Sequence, residues 1–426
     1  MPRPMKHSGI EWLGDIPADW KVTRIKHLCN NEKNSFQDGD WIESPFITEE
    51  GIRYLTTGNV GDGIFKRQGS GHISEDTFAE LNCKYAYPND LVISRLNAPY
   101  GRACILPSDE DKYVLAVDIV ILRTDHDKRY LCYLMQCQGY QNSVQDAAKG
   151  TTMKRISRTN LGNIYLPIPP PDEHQRIAAF LDDKCARIDS VIEKTRASVE
   201  EYKKLKQALI TRAVTKGIRP NRPMKDSGVE WLGDIPADWK IGRIGQLYTE
   251  RKEKVGDVDF PPLSVTMKGI LPQLSTAAKS DAHDDRKLVR KGDFAINSRS
   301  DRRGSCGISP YDGSVSLINI ILTPRNEMNP VYYDWLFHST MFADEFYKWG
   351  HGIVDDLWTT NWQDMKKISV PFPPLEEQKE IAQYLDEKTA AIDSLVAKKN
   401  RLAEELTSLK KSLIFEYVTG KKEVPT

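Results

Sequence analysis

Apolar positions recur along this chain in two rhythms, and the change from one to the other marks its parts. From Leu166 to Gly217 the sequence reads LPIPPPDEHQRIAAFLDDKCARIDSVIEKTRASVEEYKKLKQALITRAVTKG. Apolar residues return there at alternating steps of three and four, which predicts one long pairing helix after a proline-stopped strand. Leu181, Ile188, Tyr202 and Leu209 form one line of its seam, and Ile177, Val191 and Leu205 form the other. An altered copy, VPFPPLEEQKEIAQYLDEKTAAIDSLVAKKNRLAEELTSLKKSLIFEYVTGK, runs from Val370 to Lys421. Its matching lines are Leu385, Ile392, Leu406 and Leu413, and Ile381, Leu395, Leu402 and Leu409; Ser198 stands opposite Leu402 in the comparison and makes the first seam weaker. Ile192, Val199, Val396 and Ala403 lie beside these lines and widen the stripe, so each helix could face more than one partner. Prolines at each helix mouth forgo only an amide that has no partner there, and Gly217 and Gly420 stand at a left-handed stop.

Between the helices the rhythm shortens. Runs such as LVISR, KYVLAVDIVIL, DFAINS and SVSLINIILT alternate with turn clusters, which predicts two bodies built around sheet, about Pro17 to Ile164 and Pro236 to Ile368. Each body is introduced by nearly the same opening, MKHSGIEWLGDIPADWKVTRI from Met5 and MKDSGVEWLGDIPADWKIGRI from Met224. Trp12, Trp20, Trp231 and Trp239 are expected to pin these openings by packing. The bodies otherwise diverge, apart from a skeleton that aligns NDLVISRLNAPYGRACI with GDFAINSRSDRRGSCGI and matches Asp90 with Asp293 and Gly101 with Gly304. In each, a turn launches a buried strand that ends in a polar loop bearing arginine.

Connectivity then constrains the arrangement. The first helix ends shortly before the second opening, whereas the second helix begins where the second body finishes, so helices that pair must run antiparallel. The expected fold is α+β: two mixed α/β bodies with β-rich cores, joined by two long antiparallel helices in a coiled coil, as a pseudo-two-fold, circularly arranged repeat. Its segments are 1–165, 166–218, 219–369 and 370–426.

Sixty basic residues balance sixty acidic ones, so any polyanion-binding surface has to be local rather than global. The arginine-bearing loops are the place for it. Ser94, Arg95, Asn97 and Arg102 are the candidates in the first half, with Lys154, Arg155 and Arg158 of GTTMKRISR; in the second they are Asn297, Ser298, Arg299, Arg302 and Arg303. Arginine pairs bidentately with guanine and asparagine with adenine, and both hold phosphates. Cysteines 29, 83, 104, 132, 137, 185 and 306 are never spaced C-x-x-C, which suits a reducing compartment without disulfide framework or zinc. No signal-peptide core and no membrane-length apolar run is present, so a cytoplasmic location is expected. The tetrapeptide NAPY (97–100) is similar to the [ND]PP[YF] motif of adenine methylases but lacks the glycine-rich turn that would hold a methyl donor. A self-contained adenine DNA methyltransferase and a coiled-coil scaffold without nucleic acid remain as alternative readings.

Taken in order, the two WLGDIPADW openings, the PPPDEHQRIA and PPLEEQKEIA junctions, DLVISR with DFAINSRSDRRG, YDGSVS and GTTMKRIS resemble the specificity subunits of type I restriction-modification systems over essentially the whole chain. The resemblance implies two target-recognition domains, 1–165 and 219–369, each reading half of an asymmetric bipartite site in double-stranded DNA. It implies helices, 166–218 and 370–426, that set the spacing and dock two methylation subunits carrying S-adenosylmethionine, with motor and nuclease subunits joining for restriction. The chain itself would be non-catalytic, with no cofactor or metal and no membrane contact. Pro171, Asp172 and His174 depart from Leu375, Glu376 and Gln378 of the second junction, which touches only contacts at the helix start.

Overall fold

A computed structural model describes residues 3–30, 32–69, 71–96, 98–148, 155–273, 285–325, 327–352 and 358–425. They fall into two compact units, one of 1–195 with 401–426 and one of 196–400. Each unit contains a body together with part of both long helices, so the units cut across the four segments read from the sequence.

In the first unit, β1 (Lys21–Arg24) leads to β2 (Phe36–Asp38), β3 (Leu91–Ser94), β4 (Ala103–Ile105) and β5 (Ile119–Leu122). The last four form an antiparallel sheet in the order β2-β5-β3-β4. Every residue of β3 and β5 is buried, which explains why LVI and IVIL are apolar without alternation. Successive side chains point to opposite faces, and both faces are covered. Leu91, Ile93, Val120 and Leu122 join the core around Tyr130 and Leu134 of helix α1 (Lys128–Met135), while Val92, Ile119 and Ile121 pack with Tyr113 and Leu115 beneath. Helix α2 (Arg158–Gly162) then leads to β6 (Tyr165–Ile168), which pairs with β1, so the opening segment and the mouth of helix α3 (Pro171–Lys216) share one ribbon.

The second unit repeats the plan. Strand β7 (Lys240–Arg243) precedes a sheet of β8 (Tyr248–Glu250), β9 (Phe294–Asn297), β10 (Cys306–Ile308) and β11 (Asn319–Pro324), in the order β8-β11-β9-β10. Helix α4 (Pro330–Phe337) covers it, and β12 (Ser369–Phe372) pairs with β7 at the mouth of helix α5 (Leu375–Val418). The expectation of two mixed, β-centred bodies holds.

The helices are antiparallel within each unit. In the first, the Phe180 and Tyr417 rings lie 4.5 Å apart and Lys410 Nζ is 2.6 Å from Asp189. In the second, Lys206 Nζ is 2.7 Å from Asp393, and the Lys399 ammonium lies 5.6 Å from the Tyr202 ring centre. The seam differs from its expected phase in one line. Leu181, Ile188, Tyr202 and Leu209, with Leu385, Ile392, Leu406 and Leu413, do face inward. Their companions, however, are Cys185, Ile192, Val199 and Lys206, with Thr389, Val396, Ala403 and Lys410. Val191, Leu205, Leu395, Leu402 and Leu409 were expected inside and are 41 to 54% exposed. Lys206 and Lys410 disguised the true line: their stems lie along the seam while their ammonium groups reach aspartates of the opposite helix.

The tryptophan anchors behave as expected. Trp20 and Trp239 are fully buried, and their indole N–H groups donate to Glu173 (3.0 Å) and Glu377 (2.9 Å) at the mouths of α3 and α5. At the other end of each helix a lysine closes the unit. Lys421 Nζ donates to the carbonyls of Leu13 (2.7 Å) and Asp15, and Lys216 Nζ to those of Leu232 (3.3 Å) and Asp234. Gly420, at φ 69°, has no room for a Cβ, which would fall 2.4 Å from Pro17.

Candidate nucleic-acid interface

The loop between β3 and β4 leaves the sheet edge through a tight backbone exchange, Ser94 N to Arg102 O (2.8 Å) and Gly101 N to Ser94 O (2.9 Å). That exchange turns Ser94 inward, fully buried, with its Oγ donating to Leu96 O. Arg95 is buried as well. Its guanidinium donates to the carbonyls of Ile156 (3.0 Å) and Val117 (2.7 Å) and pairs with Asp38 (3.0 Å) and, more distantly, Asp118 (3.8 Å). Neither residue presents itself to a ligand, which corrects their placement on the reading surface. Arg102 is half-buried, with one long contact to Thr57 O (3.5 Å). Asn97 and Lys154 lie outside the described residues.

Among the described residues, Arg155 and Arg158 are the cations this neighbourhood exposes. A β-bridge sets Arg155 against Leu96, and Arg158 opens α2 behind the Ser157 cap. Each leans on a carboxylate: Arg155 on Asp118 at 3.4 Å, Arg158 on Asp38 at 3.6 Å. Asp38 and Asp118 were missed by sequence reasoning. They come from β2 and from the turn before β5, and no motif or spacing links them to the arginines they serve.

The second body builds its loop differently. Ser298 holds the place of Arg95, is buried, and its carbonyl accepts from Thr360 N (3.0 Å). Asn297 Oδ1 accepts from the amide of Arg299 (3.1 Å), a turn-forming bond that commits its acceptor to the loop. Arg299 and Arg302 flank Asp301 at 3.0 and 3.6 Å, and Arg303 pairs with Asp344 (3.0 Å) over the face of Tyr347. Arg302 and Arg303 are well exposed and Arg299 less so. Beside them a cavity of about 800 Å³ is lined by Arg303, Asp334, Trp335, His338 and Tyr311 among others. Its lining includes Asp334, Asp344 and Asp393 as well as Lys206, Lys268 and Arg303, so it is not an anion cradle.

The arrangement offers clustered guanidiniums on loop supports, the chemistry that grips phosphates and tests guanine edges. Among the described residues, no cluster of three or more His, Cys, Asp or Glu side chains is placed to hold a metal ion, and no helix is long and apolar enough to cross a membrane.

Residues 17–201 and 236–404 each match the family described as the type I restriction modification DNA specificity domain. The type I restriction enzyme MjaVIII specificity subunit of Methanocaldococcus jannaschii is 24% identical over 96% of this chain and 94% of its own length. The EcoBI specificity subunit of Escherichia coli is 24% identical over 87% of this chain and 80% of its own. Among solved structures, a chain described under complex assembly and conformational transition of the type I R-M system superposes with a TM-score of 0.68 at 16% identity, covering 96% of this chain and 99% of that one. The HsdS subunit from Thermoanaerobacter tengcongensis gives 0.52 at 16% identity, over 96% and 98%. These two likenesses support the fold.

Proposed function

The chain belongs to the type I restriction modification DNA specificity family, as a specificity subunit, and we propose that its two bodies each read one half of an asymmetric, bipartite site in double-stranded DNA. One observation carries this reading. The family matches twice within one chain, on two units whose openings, junctions and sheets repeat while their loop surfaces do not. Like mounts with unlike reading surfaces suit a target with two different halves.

Exposed arginines, Arg155 and Arg158 in one body and Arg299, Arg302 and Arg303 in the other, neutralise phosphates and give a salt-dependent, sequence-independent affinity. Loop side chains then test base edges, each good bidentate contact contributing about 1–3 kcal/mol against the wrong base. The adenine to be modified is flipped into a methylation subunit that carries S-adenosylmethionine, because methyl transfer to a stacked base is sterically blocked. This chain supplies recognition and no chemistry. Two methylation subunits dock along the helices, where Val191, Leu402 and Leu409 in one unit and Leu205 and Leu395 in the other leave large apolar side chains uncovered. Helix length fixes how many base pairs go unread between the halves. Motor and nuclease subunits complete the restriction complex, and the assembly works in the cytoplasm beside its DNA.

Methylome mapping with and without the gene tests this directly. Deletion should erase adenine methylation at one split motif and at no other. If every methylated motif survived the deletion, or if the purified chain alone methylated DNA, the reading would be wrong.

A further inference from the structure

Three arginines and two aspartates in the first body form a group whose charges do not cancel. Arg95 is about 5% exposed at its side chain and makes the shortest ion pair of the group, 3.0 Å to Asp38. The same two carboxylates are the only ones near the outer arginines among the described ion pairs: Asp38 lies closer to Arg95 than to Arg158 (3.6 Å), while Asp118 is shared between Arg155 at 3.4 Å and Arg95 at 3.8 Å. Arg155 and Arg158 are about half exposed, at 55 and 45% of their side chains. Backbone bonds hold the group in register. Arg95 N donates to Asp118 O (2.8 Å), Ile156 N donates to Arg95 O (3.1 Å), and the Arg95 guanidinium satisfies the carbonyls of Val117 and Ile156.

From this geometry we infer that Arg95 is a positioning residue for the DNA interface: it occupies the inner side of Asp38 and Asp118 so that Arg155 and Arg158 are aimed outward without being neutralised. Removing Arg95 would leave two aspartates free to pair fully with two exposed arginines, and the surface would lose its positive excess. With Arg95 present, the group keeps one net positive charge, and the outer pair can exchange a long carboxylate contact for a phosphate. A charge-assisted bond prefers a donor–acceptor separation of about 2.7–2.9 Å, so the contacts at 3.4 and 3.6 Å are ones a phosphate can outcompete. The second body has no such brace, because Ser298 stands at the matching place. The device belongs to one half of the recognition surface, and it rests on the reading that this surface meets DNA.

The test is the salt dependence of binding by the full chain to a fluorescein-labelled, mixed-sequence duplex, followed by anisotropy between about 0.05 and 0.2 M salt. The double variant R155A/R158A should lower the slope of log affinity against log salt by about two, at roughly 0.9 per phosphate contact. R95M should lower it by one to two although it touches no outer arginine, and adding D38N and D118N to R95M should return it to within about one of the parent. A purely structural Arg95 would leave that triple variant no better than R95M. A folded R95M with the parent slope, or a triple variant that stays low, overturns the inference. If R95M does not fold, D38N/D118N alone serves: it should keep the parent slope and bind at least as tightly, and a fall of about two refutes the brace. A parent slope in R155A/R158A would instead remove these residues from the DNA face, a failure of the functional reading and not of the brace alone.

Discussion

At the mouth of α3, His174 occupies the place that Gln378 has at the mouth of α5, and the exchange alters the chemistry of the junction. Gln378 accepts from Asn329 N (2.8 Å) and donates to Pro373 O (2.9 Å), so both ends of its amide are used. His174 instead stacks on Tyr130 at 5.2 Å, with His126 at 5.3 Å, and its Nε2 is buried without a hydrogen-bond partner. Burial, reinforced by His126, holds His174 below the ordinary histidine range. Burial does the same to His126 against the opposing pull of Asp125. A histidine whose folded pKa lies below its unfolded value of about 6.5 favours the neutral fold. The stability it contributes is complete above that value and is lost as pH falls from it through the lower folded value. We therefore expect H174Q to lose less melting temperature than the parent between about pH 7.5 and about pH 5, measured by calorimetry. Equal losses would mean that this junction does not titrate.

At the scale of elements, the helix pair makes its own contrast. Ile192 is 7% exposed on the seam and its neighbour Val191 is 46% exposed beside it. I192D should cost about 2–5 kcal/mol in denaturant unfolding, since it removes a buried side chain and buries a charge. V191D should cost less than about 0.5 kcal/mol, yet weaken capture of the methylation subunits in a pull-down of the assembled complex. A V191D chain that assembles normally would detach that apolar line from partner docking. This pair also shows where the sequence was readable. Helix limits, the doubled junctions, the β3–β4 skeleton and one seam line were legible, because each is a local pattern. The second seam line was legible only at Ile177 and Ile381, which are buried; further along, apolar residues flank the first line on both sides and two lysines hide the covered one. Burial of Ser94 and Arg95 was equally hidden: their loop reads as polar, and the carboxylates that draw Arg95 inward come from a distant strand and a distant turn.

At the scale of the whole molecule, completion of the two units follows an order opposite to that of their synthesis. The second unit draws all its residues from 196–400, whereas the first needs 401–426 as well. Until those last residues arrive, the core around Leu181, Cys185 and Ile168 lacks Ile414, Tyr417 and Val418. Tyr130 lacks the Val418 carbonyl to which its hydroxyl donates at 2.9 Å, and Leu13 and Asp15 lack the Lys421 ammonium. A released chain truncated after Asn400 should thus resist protease across the second body and yield readily in the first; equal resistance would show that residues 401–426 are dispensable for the first unit. During translation at about 5–20 residues per second, the earlier-made half waits for residues 401–426 to complete its core. A premature stop upstream of Lys421 would therefore remove the clamp on Leu13 and Asp15 along with Ile414, Tyr417 and Val418 if it fell before them, and leave the first half unfinished before it could compete for partners.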